Sequence, residues 1–282
     1  MNNVICTLAT ESAYKDLIVF LYTLGLYNTP APHVFILGDN FIKANMPIYK
    51  GRLDCKTSLQ AYSGRNRKQM ESSSGILYRT QWEDFMMEKA SVLSWAFSKG
   101  AVSAYFLDCD ICFLGPLIHP LASYSLAVSP HHIQSKYEST FGQYNAGYIW
   151  MSNPEIPGKW REAAKTSRYY DQAALEVLVD EYKDTTHMLP IQVNYGWWRM
   201  FQGTVSSEEI QKGWTTDDRR SKTSGIRVNG SALLSIHTHW GERSDSQTIQ
   251  FNRFVLNKLK GLSKCDSSVQ LLRFLTREFQ IS

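Results

Sequence analysis

The first forty residues contain two short apolar runs, and between them lies a segment in which apolar residues recur at helical spacing. An apolar run at Val4–Leu8 is followed by apolar residues at helical spacing from Tyr14 to Tyr22, and a second run, His33–Leu37, ends in Gly38-Asp39-Asn40. Recurrence at i, i+3, i+4 and i+7 predicts a helix with one buried face, and short apolar runs predict buried strands. This segment therefore predicts a βαβ unit.

The alternation stops at residue 41 and resumes near residue 86. Between 41 and 75 glycine, serine and basic residues accumulate, which predicts a long loop and a candidate lid. A helical face over Met86–Phe97 then leads through Gly100 into the apolar run Ala104–Leu107. Further strands are predicted at 125–128, 144–151 and 233–239, and further helices at 159–167, 171–182, 250–262 and 269–279.

Strands that alternate with helices predict an α/β fold with a mainly parallel central sheet flanked by helices. The sequence contains no internal repeat and no convincing linker. We therefore expect residues 1–245 to form one domain and residues 246–282 to form a helical C-terminal extension packed on it.

Composition is that of an ordinary globular protein. Hydrophobic residues make up 43% and charged residues 20% of the 282 residues, which excludes disordered, collagen-like and coiled-coil chains. The net charge of +4 is too small to indicate a nucleic-acid-binding protein, but it is compatible with a small polyanionic ligand. The aromatic share of 13% exceeds what a core of this size needs. Some of the rings are therefore candidates for ligand binding.

Cysteine usage and hydropathy bear on location. The five cysteines form an odd set without a regular framework, which favours a reducing compartment over a secreted disulfide scaffold. The N-terminus lacks a basic segment before its short apolar run, and no stretch approaches the roughly 18 apolar residues of a membrane-spanning helix. We expect a soluble, cytoplasmic protein with no signal peptide and no transmembrane segment.

Two aspartates follow the apolar run at 104–107. Residues two apart on an extended chain face the same side, so Asp108 and Asp110 are expected to converge while Cys109 points to the core. Such a pair at the carboxyl end of a strand suits a divalent cation that contacts phosphate oxygens. A capped turn is the alternative interpretation. The C-x-x-C spacing of Cys109 and Cys112 has no second cysteine pair to complete a zinc site.

A third metal ligand is available near the end of the predicted domain. His237 and His239 share a face on an extended segment, so either can look into the same cleft as the aspartates. His131-His132, which follow Ser129-Pro130, are interpreted as part of a loop and not as metal ligands.

Several short segments occur in the order and rough spacing of one enzyme group. They are Thr7–Tyr14, Phe106–Ile111, Tyr144–Ile149, Asp171-Gln172, His187–Pro190 and His237. Together they resemble glycosyltransferases of the GT-A fold, in particular the glycogenin-like and lipopolysaccharide galactosyltransferase-like enzymes. The resemblance spans about residues 4 to 243. It departs from the group at Trp240-Gly-Glu-Arg243, where those enzymes carry Lys-Pro-Trp.

The resemblance implies a nucleotide-sugar donor site and a metal site. Tyr14 would stack on the base or, alternatively, would be a core residue. Arg79 and Lys89 would contact the donor or, alternatively, would be surface charges. The implied donor-binding residues are Leu8, Thr10, Glu11, Tyr14, Arg79, Lys89, Asp108, Cys109, Asp110, Asn145, Ala146, Gly147 and Arg243. The implied ligands of Mn²⁺ or Mg²⁺ are Asp108, Asp110 and His237, with His239 as second choice.

Catalysis and acceptor binding are also implied. Asp171, Gln172 and Asn145 would act on the donor sugar, although Asp171 is equally an ordinary helix N-cap. Trp197 and Trp198 are candidates for an acceptor platform because flat rings stack on sugar faces, and core packing is the alternative.

These features predict a metal-dependent transferase that moves a sugar from a UDP- or GDP-sugar to a glycan or glycoconjugate acceptor with retention of anomeric configuration. One alternative is a non-catalytic nucleotide-sugar or carbohydrate-binding protein of the same fold. Another is a sugar nucleotidyltransferase, which usually has a glycine-rich loop after its first strand. Thr7–Ser12 contains no glycine.

Overall fold

The computed structural model describes residues 3–219 and 222–280. The strands in these ranges are β1 (Asn3–Ala9), β2 (Val34–Gly38), β3 (Leu53–Thr57), β4 (Ser103–Leu107), β5 (Ile111–Phe113), β6 (Leu126–Pro130), β7 (Tyr144–Met151), β8 (Thr186–Met188), β9 (Tyr195–Gly196), β10 (Trp214–Thr216), β11 (Ile226–Val228), β12 (Ser231–Ala232) and β13 (Ser235–His237). The α-helices are α1 (Tyr14–Tyr27), α2 (Asn40–Ala44), α3 (Arg67–Glu71), α4 (Gln81–Ser98), α5 (Ser135–Phe141), α6 (Ile156–Ala164), α7 (Tyr170–Glu181), α8 (Trp197–Phe201), α9 (Ser207–Lys212), α10 (Ser246–Lys260) and α11 (Asp266–Phe279).

The central sheet has seven strands in the order β3-β2-β1-β4-β7-β6-β8. Strands β3, β2, β1 and β4 are mutually parallel, and β8 is parallel to β6. Strand β7 is antiparallel to both of its neighbours, β4 and β6. The prediction of a mainly parallel sheet is therefore confirmed, with one reversed strand inside it.

Helices cover both faces of this sheet, as side-chain alternation along β1 shows. Val4 and Cys6 belong to the core shared with α4, α6 and α7, whereas Ile5 packs in the core on the α1 side, with Leu17 and Phe20. Alternate residues of a strand point to opposite faces, so a strand buried on both sides is apolar throughout. The molecule is accordingly a three-layer α/β structure.

The sequence predicted a long loop at 41–75, but this segment is only partly irregular. It contains α2, α3 and strand β3, which pairs along its length with β2. An edge strand has one neighbour and leaves part of its surface to solvent, and here Lys56 and Thr57 are exposed. Because β3 lies at the edge, it tolerates polar residues, and these made the strand unrecognisable from its sequence pattern.

A second core joins the end of the chain to its beginning. Two three-stranded sheets, β10-β11-β12 and β5-β13-β9, pack with α10 and α11 in a cluster that also includes Val19 of α1. The ring of Tyr22 stacks on Phe274 of α11 with centroids 3.7 Å apart. The C-terminal segment is therefore helical and shares its core with α1.

Two further observations concern cysteine and hydropathy. All five cysteines are free thiols. Among the described residues, no helix combines the length and the apolar composition that crossing a membrane requires.

Candidate active site

The carboxyl ends of β1 and β4 meet at one edge of the central sheet because the two strands are adjacent and parallel. Thr10 and Glu11 follow β1, and Asp108 follows β4. The reversed strand β7 brings its amino-terminal half to the same edge, where Tyr148 pairs with Leu107. The backbone N–H of Asp108 donates to the carbonyl of Gly147 at 2.9 Å. Three separate segments therefore converge at this edge.

Asp108 and Asp110 lie in a tight turn and not on an extended strand. The N–H of Ile111 donates to the carbonyl oxygen of Asp108 at 3.1 Å, and β5 then leaves the central sheet for a smaller one. Cys109 is half-buried and packs against the core on the α1 side, as predicted, and it also lines a cavity. The turn, and not an extended strand, brings the two carboxylates together. The predicted convergence of Asp108 and Asp110 is therefore correct, but the extended backbone predicted for them is wrong.

Strand β13 delivers a histidine to this turn from the far part of the chain. It pairs antiparallel with β5 in a register that places His237 opposite Ile111, next to Asp110. The Nε2 atom of His237 lies 3.1 Å from Oδ1 of Asp110 and 3.8 Å from Oδ2 of Asp108. One ligand atom from each of these three residues lies within 4.8 Å of the other two. Two carboxylates and one imidazole make a donor set that suits Mn²⁺ and, less completely, Mg²⁺.

Glycine at position 147 is required by this arrangement. A Cβ atom on Gly147 would overlap both Oδ2 of Asp108 and the ring of His237. The small residue therefore keeps open the space in which the three candidate ligands approach one another.

The three ligands are part of a continuous row of charged groups. From one end to the other it runs Asp16, His239, Asp110, His237, Asp108, Lys89 and Asp171, with each neighbour within 4 Å. Burial alone would raise the pKa of Asp110, but the imidazoles of His237 and His239 lower it below its usual range. The Asp110 carboxylate raises the pKa of His239 to about 10. An imidazole that binds a metal does so in its neutral form, and with His237 neutral the row carries two more negative than positive charges. One divalent cation would balance that excess.

Lys89 occupies the buried end of the row. Its Nζ atom lies 3.2 Å from Asp108 and 2.9 Å from Asp171, and it donates to the carbonyl of Ala146 at 3.3 Å. Burial opposes protonation, but the two carboxylates outweigh it and raise the pKa of Lys89 above its ordinary value. The alternative that Lys89 is a surface charge is wrong, because only 3% of the residue is exposed.

Two connected cavities meet at the metal-ligand cluster. The larger, called here the outer cleft, has a volume of about 1350 Å³ and runs from Leu8, Thr10 and Glu11 to Arg243. The smaller, called here the inner pocket, has a volume of about 430 Å³ and is lined by Asn145, Gly147, Asp171, Gln172 and surrounding aromatic residues. Asp108, Asp110 and His237 line both cavities.

Comparison with solved structures finds several of the same architecture. The galactosyltransferase LgtC, in complex with donor and acceptor sugar analogues, superposes with a TM-score of 0.52 at 13% identity, covering 93% of this chain and 96% of LgtC. The glycosyltransferase GlyE of Streptococcus pneumoniae TIGR4 superposes with a TM-score of 0.54 at 12% identity, covering 99% of this chain and 64% of GlyE. The chain has the GT-A fold. The fold predicted from the resemblance is thereby confirmed. Neither a protein-family model nor a curated protein sequence matches the chain.

Most residues that the GT-A resemblance implied lie in one of the two cavities. The outer cleft is lined by Leu8, Thr10, Glu11, Cys109 and Arg243, and the inner pocket by Asn145, Gly147, Asp171, Gln172, Trp197 and Trp198. Ala146 is buried in β7 beside them and meets Lys89 through its carbonyl. Asp171 lies in the first turn of α7 and is not its N-cap, which is Tyr169.

Besides Ala146, two of the implied donor-binding residues line neither cavity. Tyr14 is half-buried and packs edge-to-face on Phe41, with ring centroids 5.3 Å apart. Arg79 is exposed, lies 2.9 Å from Glu83 and donates to the carbonyl of Ser167. Neither residue lines the outer cleft or the inner pocket of this GT-A structure.

Three other candidate residues lie where they do not form an open aromatic platform or a metal ligand. Trp198 is buried and its ring lies edge-on to His237, with centroids 5.1 Å apart. It forms a wall of the inner pocket more than an open platform, while Trp197 is half-buried. His239 is exposed, and its Nδ1 atom lies 2.9 Å from Asp16. It therefore lies beside the cluster of candidate ligands and not within it.

Sequence reasoning missed a basic and aromatic group at the mouth of the inner pocket. The guanidinium of Arg67 lies 5.2 Å from the ring centre of Trp82 and 5.9 Å from that of Tyr170, and it donates to the hydroxyl of Tyr169 at 3.2 Å. Arg67 belongs to the run Arg65-Asn-Arg-Lys68, which had been assigned to a loop. Its contact with Tyr169 joins parts of the chain about a hundred residues apart, so no local pattern could show it.

Proposed function

We propose that the protein is a metal-dependent glycosyltransferase that moves a sugar from a UDP- or GDP-sugar to a glycan or glycoconjugate acceptor. The observation that carries this proposal is the position of Asp108, Asp110 and His237 at the junction of the two cavities. A nucleotide sugar has the same division: a nucleoside and a sugar joined by a diphosphate. The outer cleft has room for the nucleoside and the inner pocket has room for the sugar, so the diphosphate would lie at the junction beside the candidate metal ligands.

Asp108, Asp110 and His237 would hold Mn²⁺ or Mg²⁺, which would offset the negative charge that develops on the departing diphosphate. Basic side chains on the rim of the outer cleft would add to this stabilisation. They include Arg65, Arg67 and Arg243. Arg243 is the implied phosphate contact, and the two others were not expected from the sequence.

The residues of the inner pocket would bind and orient the donor sugar. Lys89 holds both Asp108 and Asp171, so it fixes the metal end of the site relative to the sugar end. Asp171, Gln172 and Asn145 present carboxylate and amide groups to the pocket, and such groups bind sugar hydroxyls. Retention of anomeric configuration remains the expectation from the resemblance.

The acceptor would enter over the aromatic group at the mouth of the inner pocket. Trp82, Tyr169 and Tyr170 line this pocket together with Trp197. Flat rings pack on the apolar faces of sugars, and Arg67 holds these rings in place. We therefore extend the predicted acceptor platform from Trp197 and Trp198 to these three residues.

Metal and donor binding test the proposal directly. Titration of the purified protein with UDP-glucose, UDP-galactose and GDP-mannose, with and without Mn²⁺, should raise its melting temperature only when metal and a suitable donor are both present. Asp110→Asn should weaken Mn²⁺ binding by more than about tenfold, with a matching loss of donor hydrolysis.

The matched control is Asp217→Asn, because Asp217 is a carboxylate away from both cavities that pairs with Arg219. It should leave metal binding unchanged. Absence of any metal-dependent shift with the whole donor panel would contradict the proposal. Donor binding without release of nucleoside diphosphate, across a panel of glycan acceptors, would favour a binding protein of the same fold.

A further inference from the structure

Asn194 is a fully buried residue between the short 3₁₀ turn at Ile191–Val193 and strand β9. Its side chain lies behind the candidate metal site. Nδ1 of His237 lies 3.3 Å from Oδ1 of Asn194, on the side of the imidazole ring opposite to the Asp108 and Asp110 carboxylates. Nothing in the proposed function assigns a role to this residue.

Asn194 is the first member of a chain of three side-chain amides and the one that meets His237. Its Nδ2 group donates to Oδ1 of Asn145 at 3.0 Å, and Nδ2 of Asn145 donates to Oε1 of Gln172 at 3.3 Å. The chain runs from the metal histidine to the sugar end of the inner pocket. Two of its three amides, Asn145 and Gln172, line that pocket.

The direction of this chain is set by backbone groups that can play only one role. The N–H of Gly147 donates at 3.0 Å to Asn145, so the atom that it meets must be Oδ1. The carbonyl of Phe141 accepts at 2.8 Å from Gln172, so the atom that it meets must be Nε2. Both anchors independently require the same orientation of Asn145.

These roles also fix the orientation of Asn194 and the position of the proton on His237. Because Oδ1 of Asn145 accepts, the Asn194 atom that faces it must be Nδ2, and Oδ1 of Asn194 must face His237. An amide oxygen is only an acceptor, so Nδ1 of His237 must carry a proton. An imidazole that binds a metal has one proton. With that proton on Nδ1, the lone pair of Nε2 is free for an ion that Asp108 and Asp110 would also bind.

Buried contacts keep Asn194 from turning over. Nδ2 also donates to Oγ of Ser129 at 3.2 Å, and Arg199 donates to the backbone carbonyl of Asn194 at 3.1 Å. Arg199 is itself buried and donates to the carbonyl of His131 at 3.0 Å. Rotation of the amide would place two oxygens, those of Asn194 and Asn145, against each other.

We propose that Asn194 is a positioning residue that holds the proton of His237 on Nδ1 and so reserves Nε2 for a metal ion, while it links this histidine through Asn145 to Gln172. The proposal rests on the metal site of the proposed function. Second-shell hydrogen bonds of this kind orient the ligand, and their loss commonly weakens metal binding about 10- to 100-fold.

The first test needs no mutation and no activity. In ¹⁵N NMR spectra, Nδ1 of His237 should be protonated both before and after addition of diamagnetic Mg²⁺, while the Nε2 signal should shift when the ion is added. An unprotonated Nδ1 in the Mg²⁺-loaded protein would overturn the proposal.

The second test measures Mn²⁺ affinity by electron paramagnetic resonance. Asn194→Leu removes the acceptor and should weaken binding about 10- to 100-fold. Asn194→Asp keeps an acceptor toward His237 but places a second oxygen against Oδ1 of Asn145, so it should recover only part of the affinity that Asn194→Leu loses. Equal losses in both variants would overturn the proposal.

Asn28→Leu is the matched control. The Asn28 side chain makes two hydrogen bonds, to the carbonyl of Leu24 and from the N–H of Leu117, at the end of α1. Its Mn²⁺ affinity should equal that of wild type. If the wild-type protein shows the Nδ1 proton but binds no metal, the proposed function fails while the assignment of the tautomer stands.

Discussion

Individual residues at the junction of the two cavities have little freedom to change, and Gly147 has the least. It is the position at which β7 passes the turn that carries Asp108, and its carbonyl accepts from the N–H of Asp108. The resemblance implied that Asn145, Ala146 and Gly147 bind the donor. The structure adds a reason within the protein: the free space belongs to Asp108 and His237.

Gly147→Ala should therefore weaken metal binding without unfolding the protein. The added methyl group would displace either the carboxylate of Asp108 or the ring of His237, so we expect Mn²⁺ affinity to fall by more than about tenfold. Isothermal titration calorimetry, with circular dichroism to confirm the fold, measures this.

Gly158→Ala serves as the control for that substitution. Gly158 lies in α6, and a Cβ atom there meets no other atom within 4 Å. Alanine at this position should keep metal affinity unchanged and stabilise the helix by up to about 1 kcal/mol. Unchanged Mn²⁺ affinity in Gly147→Ala would show that the three candidate ligands do not form the metal site.

Residues whose roles depend on distant partners were the least predictable. Asp108, Asp110 and His237 could be chosen from the sequence because carboxylates and imidazoles have recognisable chemistry near strand ends. Asn194 could not, because an asparagine after Pro190 carries no signal of a partner 43 residues away at His237. The same holds for Arg67, whose contacts with Tyr169 and Tyr170 depend on the packing of α3 near α7.

At the scale of elements, apolar periodicity located the buried strands and long helices. Strand β7 has the predicted bounds, 144–151, because it is buried along its whole length. Its reversed direction was not predictable, since a fully buried strand reads the same in both orientations. Strand β3 was missed because it is short, half-polar and at the edge.

The position of the segment 58–66 depends on the carboxylate of Asp39, the residue that follows strand β2. Asp39 is fully buried, and its oxygens accept from the N–H of Glu11, the N–H of Ile42 and the hydroxyl of Ser63, each at 2.9 Å. One side chain therefore joins the end of β1, the start of α2 and the approach to α3. Through Glu11 it also shapes the wall of the outer cleft.

Asp39→Ala should loosen this corner of the outer cleft. Loss of three acceptor contacts should cost about 3 kcal/mol of unfolding free energy, weaken nucleotide binding and expose the segment 58–66 to proteolysis. Urea unfolding and limited trypsin digestion measure the two effects, since Arg65 lies within the segment.

Asp245→Ala provides the comparison for Asp39→Ala. Asp245 caps α10 by accepting from the N–H of Thr248 at 2.7 Å. Loss of such a cap typically costs about 1 kcal/mol. Equal destabilisation and equal protection from trypsin in the two variants would contradict the role assigned to Asp39.

At the scale of the whole molecule, the C-terminal helices are integral to the fold. The cluster that contains α10 and α11 also contains Val19 of α1 and Cys112 of β5, the strand that follows Asp110. The same cluster supports β13, which carries His237. The prediction of an extension that begins at residue 246 describes the sequence pattern, whereas the shared core argues for one cooperative unit.

Leu271→Ala tests this cooperativity. Leu271 is fully buried in α11, so its truncation should cost about 2–5 kcal/mol. Because the core is shared, unfolding should remain a single transition that tryptophan fluorescence and far-ultraviolet circular dichroism report at the same urea concentration.

Leu272→Ala is the matched variant, because the neighbouring leucine is only half-buried against the same core and should cost less. Two separated transitions in Leu271→Ala, with the central sheet retained after the first, would show instead that the C-terminal helices form an independent unit.

The pairing of β13 with β5 also sets the time at which the site can exist during synthesis. Asp108 and Asp110 are made well over a hundred residues before His237. At ribosomal rates of about 5–20 residues per second, that interval is on the order of ten seconds. A growing chain therefore carries the acidic turn without its histidine for that time, and the complete set of ligands arises only when β13 has left the ribosome and paired with β5.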